Sequence, residues 1–195
     1  MVVKIQNRFD GASLDTCVVD SKNQQLVDYL RDYRDNIENK LNNAENVIIY
    51  GSCGVGKTFL IKSFINDCKK ILIEKEILDY PKNRVEKKNL NIGYFVISKV
   101  IEDLRKKYDK KESEYNFNSY DILVIDEIGV QFATDAERQI LYDMINYRWE
   151  NCKPTFLLSN LDIDNIMKVL GLRIFDRIND KNCKIFFLKG DSRRK

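Results

Sequence analysis

The sequence contains no histidine. Without imidazole, Ser-His and Cys-His nucleophilic catalysis and histidine-ligated metal sites are excluded. Its five cysteines (Cys17, Cys53, Cys68, Cys152, Cys183) are scattered with no C-x-x-C pair, a spacing that marks neither a zinc site nor a disulfide framework, so reduced thiols are expected. Two prolines and eight glycines in 195 residues leave few places for a flexible linker. No apolar run approaches the roughly 18 residues of a membrane span, so no membrane role is expected. The opening MVVKIQNRFDGASL lacks the apolar core of a signal peptide, and a cytoplasmic protein is expected. Charge of either sign is also in short excess: 33 basic against 30 acidic residues give +3. A protein that coats itself in nucleic acid through bulk charge is more basic, so any such contact must come from local patches, RKKYDKK at 105–111 or the tail KGDSRRK.

What is present is the composition of an ordinary globular domain, 44% apolar and 32% charged, with no internal repeat. An irregular N-terminal segment is expected over residues 1–20 and a single domain over 21–195. SKNQQLVDYLRDYRDNIENKL places Leu26, Tyr29, Leu30, Tyr33 and Ile37 at near-helical spacing, with Ser21 as N-cap. NVIIY reads as a strand and TFLIKSFINDCKKIL as a helix. The polar stretch at 79–91, DYPKNRVEKKNLN, reads as a loop. IGYFVIS is a strand, KVIEDLRKKYDKK an amphipathic helix, and YDILVIDEIG a strand buried on both faces. A helix DAERQILYDMINYRWENC, a strand PTFLLSNL, helices DIDNIMKVLG and LRIFDRI, and a last strand CKIFFLKG complete the chain. Alternating strands and helices predict an α/β fold, a parallel sheet flanked by helices on both faces.

The chemistry concentrates after Tyr50. Gly51, Ser52, Cys53, Gly54, Val55, Gly56, Lys57 and Thr58 fit G-x-x-x-x-G-K-[ST] at every fixed position. Glycines let the backbone curl until several N–H groups face an anion, and the following helix adds its positive end. Lys57 reaches the β- and γ-phosphates of a nucleotide and Thr58 ligates Mg²⁺. A chance glycine turn is the bland alternative, and the strand–loop–helix context argues against it. Asp126 ends the aliphatic run ILVI, where a carboxylate reaches the metal from the other side, and Glu127 follows as the acid that polarises the attacking water. An ordinary charged strand end is the competing reading. Asn160, at the tip of FLLSN, can hydrogen-bond the γ-phosphate or that water, although asparagine there is more often a turn residue. Arg173 and Arg177 share one helix face. Arg177 reads either as a surface ion pair with Asp176 or as an arginine finger inserted into a neighbouring subunit.

The ordered set GSCGVGKT, ILVIDEIG, FLLSN and LGLRIFDRI resembles the DnaC/IstB group of AAA+ ATPases, over nearly the whole chain from RFDGASLD to GDSRR. The resemblance implies a three-layer AAA+ sandwich without a full C-terminal lid domain, binding ATP or ADP with Mg²⁺. By that likeness Gly51 to Thr58 are Walker A, Asp126 and Glu127 Walker B, and Asn160 sensor 1. Arg177 is the finger acting in trans within a homo-oligomer, Arg173 supports it, Arg194 is a late sensor-type arginine, and RFDGASLD lies near the adenine. Single-stranded DNA is implied as a partner, contacted by Tyr108 and Thr134, with Lys106 and Lys107 beside them for phosphates. A solvated helix end with a half-buried tyrosine is the plain alternative for Tyr108. The group includes helicase loaders, which act on a DnaB-type replicative helicase, and IstB-like helpers, which wrap duplex DNA for a transposase. A small-molecule kinase and a binding module with negligible hydrolysis remain open as other classes. Helicase loaders carry an N-terminal domain that grips the helicase, and the first twenty residues here are too few to form one. The stretch 79–91 reads as an added loop.

Overall fold

A computed structural model describes residues 9–77, 84–109, 115–129 and 134–193. Helices α1 (Gln24–Asp35) and α2 (Ile37–Asn42) lead into strand β1 (Val47–Gly51) and helix α3 (Lys57–Cys68). Strands β2 (Leu72–Ile77), β3 (Arg84–Asn89) and β4 (Ile92–Val96) follow, then α4 (Ile97–Tyr108), β5 (Ile122–Ile128) and α5 (Asp135–Glu150). The chain continues through β6 (Thr155–Ser159), α6 (Ile163–Leu170), α7 (Leu172–Ile178) and β7 (Lys184–Leu188).

Five strands form one parallel sheet in the order β4-β5-β6-β1-β7. Their period-two alternation sorts side chains into two cores. Val47 and Ile49 of β1, Ile122 and Val124 of β5, and Phe156 and Leu158 of β6 pack with α1 and α3. Ile48, Leu123, Ile125 and Leu157, the residues between them, pack with α4, α5, α6 and α7. This is the expected three-layer α/β sandwich. The crevice outside the carboxyl ends of such strands is where ligands of this architecture bind. The N-terminal segment takes part in the first core: Leu14 is fully buried, its N–H donates to Asp67 Oδ2 at 2.8 Å, and its carbonyl accepts from Arg31 at 2.6 Å.

Several boundaries differ from the sequence reading. The first helix begins at Gln24, not after Ser21; Asn23 precedes it and uses its side chain to tie the preceding turn, bonding Val18 O at 3.0 Å and the Asp20 N–H at 2.9 Å. It also breaks at Asn36, where φ of −115° interrupts the helical backbone between α1 and α2. The helix after the glycine turn stops at Cys68, and Leu72, expected inside it, opens β2. The expected loop at 79–91 is corrected as well: residues 84–89 are β3, antiparallel to β2, while 79–83 lie outside the described residues. Opposite charges face one another across this hairpin at Glu74–Lys87 and Lys75–Glu86, a pairing that favours the ladder without apolar burial.

Candidate nucleotide-binding site

Strands β1, β5 and β6 deliver the motif residues to one end of the sheet. β1 ends at Gly51, whose φ of +148° and close approach to Leu188 O, 2.1 Å from where a Cβ would stand, allow no side chain. The loop then turns through Gly54 and Gly56, both left-handed at φ +83° and +104°, into the first turn of α3. The C-terminal tail lies against this loop: the Arg193 N–H donates to Gly54 O at 2.9 Å, and the Arg193 guanidinium reaches back to Asp20 at 2.7 Å. The glycine turn, the α3 N-terminus and Lys57 meet here, the parts from which an anion cradle is built.

Lys57, only 6% exposed, donates from Nζ to Gly51 O at 2.7 Å, Ser52 O at 2.8 Å and Asn160 Oδ1 at 2.7 Å. Thr58 Oγ1 donates to Asp126 Oδ2 at 2.9 Å. Residues separated by up to about a hundred positions in sequence therefore meet at one spot, as the motif reading expects. Asp126 is buried, and its Oδ1 accepts from the Glu127 N–H at 2.7 Å. Pairing between β5 and β6 is regular to Ile125–Leu157 and resumes at Ile128–Ser159, so a bulge falls on Asp126 and Glu127. Glu127 takes φ of +63°, and this turn sends the two acids different ways: Asp126 inward, Glu127 into solvent.

Two residues that the motif reading missed complete the site. Tyr94 of β4 donates its phenol hydroxyl to Asp126 Oδ2, and the Lys62 ammonium, one turn beyond Thr58, lies 3.1 Å from the Tyr94 ring centroid. Burial first, and then the bond to Asp126, push the Tyr94 phenol well above its ordinary pKa, so it stays a donor. Burial lowers the Lys62 ammonium, while the Asp126 charge works the other way. In IGYFVIS a tyrosine is one more strand-forming aromatic, and only the register Val96–Asp126 between β4 and β5 reveals what it faces.

The remaining predicted residues are spread over the molecule. Arg177 forms no ion pair with Asp176 among the described residues; its Nε donates to Asn146 Oδ1 at 3.0 Å and its guanidinium lies 4.2 Å from the Trp149 ring centroid. It lines a small cleft with Ala44, Asn46, Lys153 and Thr155, residues that precede or open β1 and β6. That is the edge of the sheet opposite the glycine loop, about 15 Å away at some 3.3 Å per strand residue. Arg173 lies on the same helix, α7. Tyr108 ends α4 and is 70% exposed, which overturns the half-buried alternative. Lys106 pairs with Glu102 at 2.9 Å, and Arg105 pairs with Glu137. The Lys107 side chain and all of Arg194 lie outside the described residues. Thr134 is the N-cap of α5, its hydroxyl accepting from the Glu137 N–H at 3.3 Å while Glu137 returns to the Thr134 N–H at 2.9 Å, a structural role beside any contact with DNA. Among the described residues no helix is long and apolar enough to cross a membrane.

Comparison with known families matches the model of the IstB-like ATP binding protein family over residues 10–195. The chain belongs to this family. Among curated proteins, this IstB-like chain is 28% identical to the replicative helicase loader DnaC of Escherichia coli (strain K12) over 153 residues, 78% of this chain and 57% of that protein. It is 27% identical to the uncharacterized protein YqaM of Bacillus subtilis (strain 168) over 174 residues, 85% of this chain and 49% of YqaM. The chain thus spans about half the length of the curated relatives it matches. The crystal structure of the DnaC helicase loader shares the fold at a TM-score of 0.74, covering 94% of this chain and 100% of that one at 19% identity.

Proposed function

We propose that this IstB-like protein is a magnesium-dependent ATPase of the helicase-loader type, which assembles as a homo-oligomer on single-stranded DNA and assists a replicative helicase. The observation that carries the reading is the convergence of Lys57, Thr58, Asp126 and Asn160, from three strand ends, beside the glycine turn. The likeness to DnaC supplies the partner class. Lys57 exchanges its carbonyl and amide partners for the β- and γ-phosphates of ATP. The hydroxyl of Thr58 and the carboxylate of Asp126 are hard oxygen donors 2.9 Å apart, the donor type that suits Mg²⁺, and these two would hold it. Held by Thr58 and Asp126, the ion would supply positive charge against that developing on the transferred phosphoryl group. Glu127 orients and polarises the attacking water, and Asn160 hydrogen-bonds the γ-phosphate.

Arg177 is proposed to complete a neighbour's site, because it lies at the edge of the sheet opposite its own. Arg177→Ala is expected to slow hydrolysis about a thousandfold while leaving ATP binding to the monomer unchanged. Mixing Arg177→Ala subunits with Glu127→Gln subunits is expected to restore part of the activity, since some interfaces then carry an intact Glu127 and an intact Arg177. A mixture no more active than its parents places the arginine in cis or outside the chemistry.

Tyr108 presents an aromatic face to solvent, and its replacement by alanine is expected to weaken binding to a single-stranded oligonucleotide by about 1–3 kcal/mol, read by fluorescence anisotropy with ATP present. The family's IstB relationship favours one second reading, a transposition helper on duplex DNA. Tighter binding to duplex than to single strands, with capture of a transposase in place of a hexameric helicase, decides for it.

A further inference from the structure

Asp126 is held by more donors than the two-residue metal site requires. A carboxylate offers about four acceptor positions. Three are taken: Oδ2 accepts from the hydroxyls of Thr58, at 2.9 Å, and Tyr94, and Oδ1 accepts from the Glu127 N–H at 2.7 Å. Among the described residues these three donors fix the carboxylate in rotation. The Tyr94 donor is itself held in place. Its strand pairs with β5 through Tyr94–Val124 and Val96–Asp126, its ring packs on the core beneath α3, and Lys62 covers its face. Phe95, the next residue, points into the other core and has no hydroxyl to offer. A phenylalanine at 94 would fill the same space, so packing does not explain the hydroxyl; the bond to Asp126 does.

We propose that Tyr94 is a positioning residue of the magnesium site: its hydroxyl orients the Asp126 carboxylate that, with Thr58, would hold the ion. The inference rests on the nucleotide-site reading above. Thr58 cannot do this work alone, since its oxygen is also a ligand for the ion, and its proton must stay directed at Oδ2 while its lone pair turns to the metal. A second donor on Oδ2 keeps the carboxylate in place through that change. Outer-shell hydrogen bonds of this kind typically account for about ten- to a hundredfold in metal affinity.

The test is a magnesium titration of ATP binding, read with a fluorescent nucleotide and with no turnover required. In wild-type protein, ATP is expected to bind weakly in excess chelator and to tighten as Mg²⁺ is added. Tyr94→Phe is expected to leave the chelator affinity unchanged, which also shows that the fold survives, and to raise the magnesium midpoint by on the order of tenfold. Tyr94→Leu, which also lacks the ring beneath Lys62, is expected to lose no more than Tyr94→Phe. In an Asp126→Asn background the substitution at 94 is expected to have no effect, because Tyr94 acts through that carboxylate. An unchanged or lowered midpoint in Tyr94→Phe overturns the proposal, as does a larger loss in Tyr94→Leu or an effect that persists with Asn at 126. Failure of wild-type protein to bind ATP at all sinks the nucleotide-site reading instead, so the two failures are distinguishable.

Discussion

Glu127→Gln is expected to lower ATP hydrolysis by about two to four orders of magnitude and to leave ATP binding intact, so that an ATP-bound oligomer accumulates. The substitution changes a carboxylate into an amide of nearly the same shape, removing the charge proposed to polarise water while keeping the side chain's reach. Binding is expected to survive because, in the proposed site, the phosphates are held by the glycine loop, Lys57 and Thr58, and it is Asp126 that bonds Thr58. The backbone argues for the same division. A glutamate at φ +63° costs on the order of 1 kcal/mol relative to ordinary strand backbone, and the bulge at Asp126 and Glu127 gives up regular pairing in the middle of the sheet. Phosphate release under single-turnover conditions, with size-exclusion chromatography in ATP, measures both halves of the expectation. Unchanged turnover removes Glu127 from the chemistry, and lost binding moves it into the cradle.

Much of this site is legible in the sequence because its constraints act on residue type. The positive φ of Gly54 and Gly56 and the contact of Gly51 with Leu188 O admit only glycine, and a strand buried on both faces must read as an aliphatic run such as ILVI. The alternation of strands with helices, and with it the flanked parallel sheet, is legible in the same runs. What stays hidden depends on pairing. The β2–β3 hairpin leaves Leu72 and Val85 largely exposed, and its ladder is supported by facing charges, so no apolar alternation marks β3. The end of α3 at Cys68 has no glycine or proline to announce it, and Ile71, Leu72 and Ile73 suit a helix as well as a strand. Tyr94 is hidden for a third reason: its role comes from a neighbour 32 residues away, across a strand register that no local pattern encodes.

Arg148→Met is expected to destabilise the protein by about 3–5 kcal/mol. Arg148 of α5 is fully buried. Its guanidinium donates to Phe117 O at 2.9 Å, Tyr120 O at 3.0 Å, Pro154 O at 2.7 Å and Thr155 Oγ1 at 3.0 Å. Burial lowers its pKa to about 10, with Asp121 opposing the shift, and the surrounding oxygens keep it cationic at neutral pH. Methionine fills similar space but takes the donor from the Phe117 and Tyr120 carbonyls and from the Thr155 hydroxyl, while Pro154 O keeps the Leu123 N–H at 3.1 Å. Lysine keeps the charge but has three donors and no planar fork, so Arg148→Lys is expected to recover only part of the loss. Denaturant unfolding checks the sequence wild type, Lys, Met; a methionine variant within 1 kcal/mol of wild type overturns it. The position of Arg148 adds a functional consequence. It ties α5 to the chain leading into β5 and to the start of β6, at the edge of the sheet remote from Lys57, and α5 also carries Asn146 and Trp149, the platform of Arg177. Where the variant remains folded, loosening that edge is expected to reduce oligomer-dependent hydrolysis while the ATP affinity of the monomer is unchanged, and an equal fall in both would mean that the disturbance reaches the nucleotide site through the sheet.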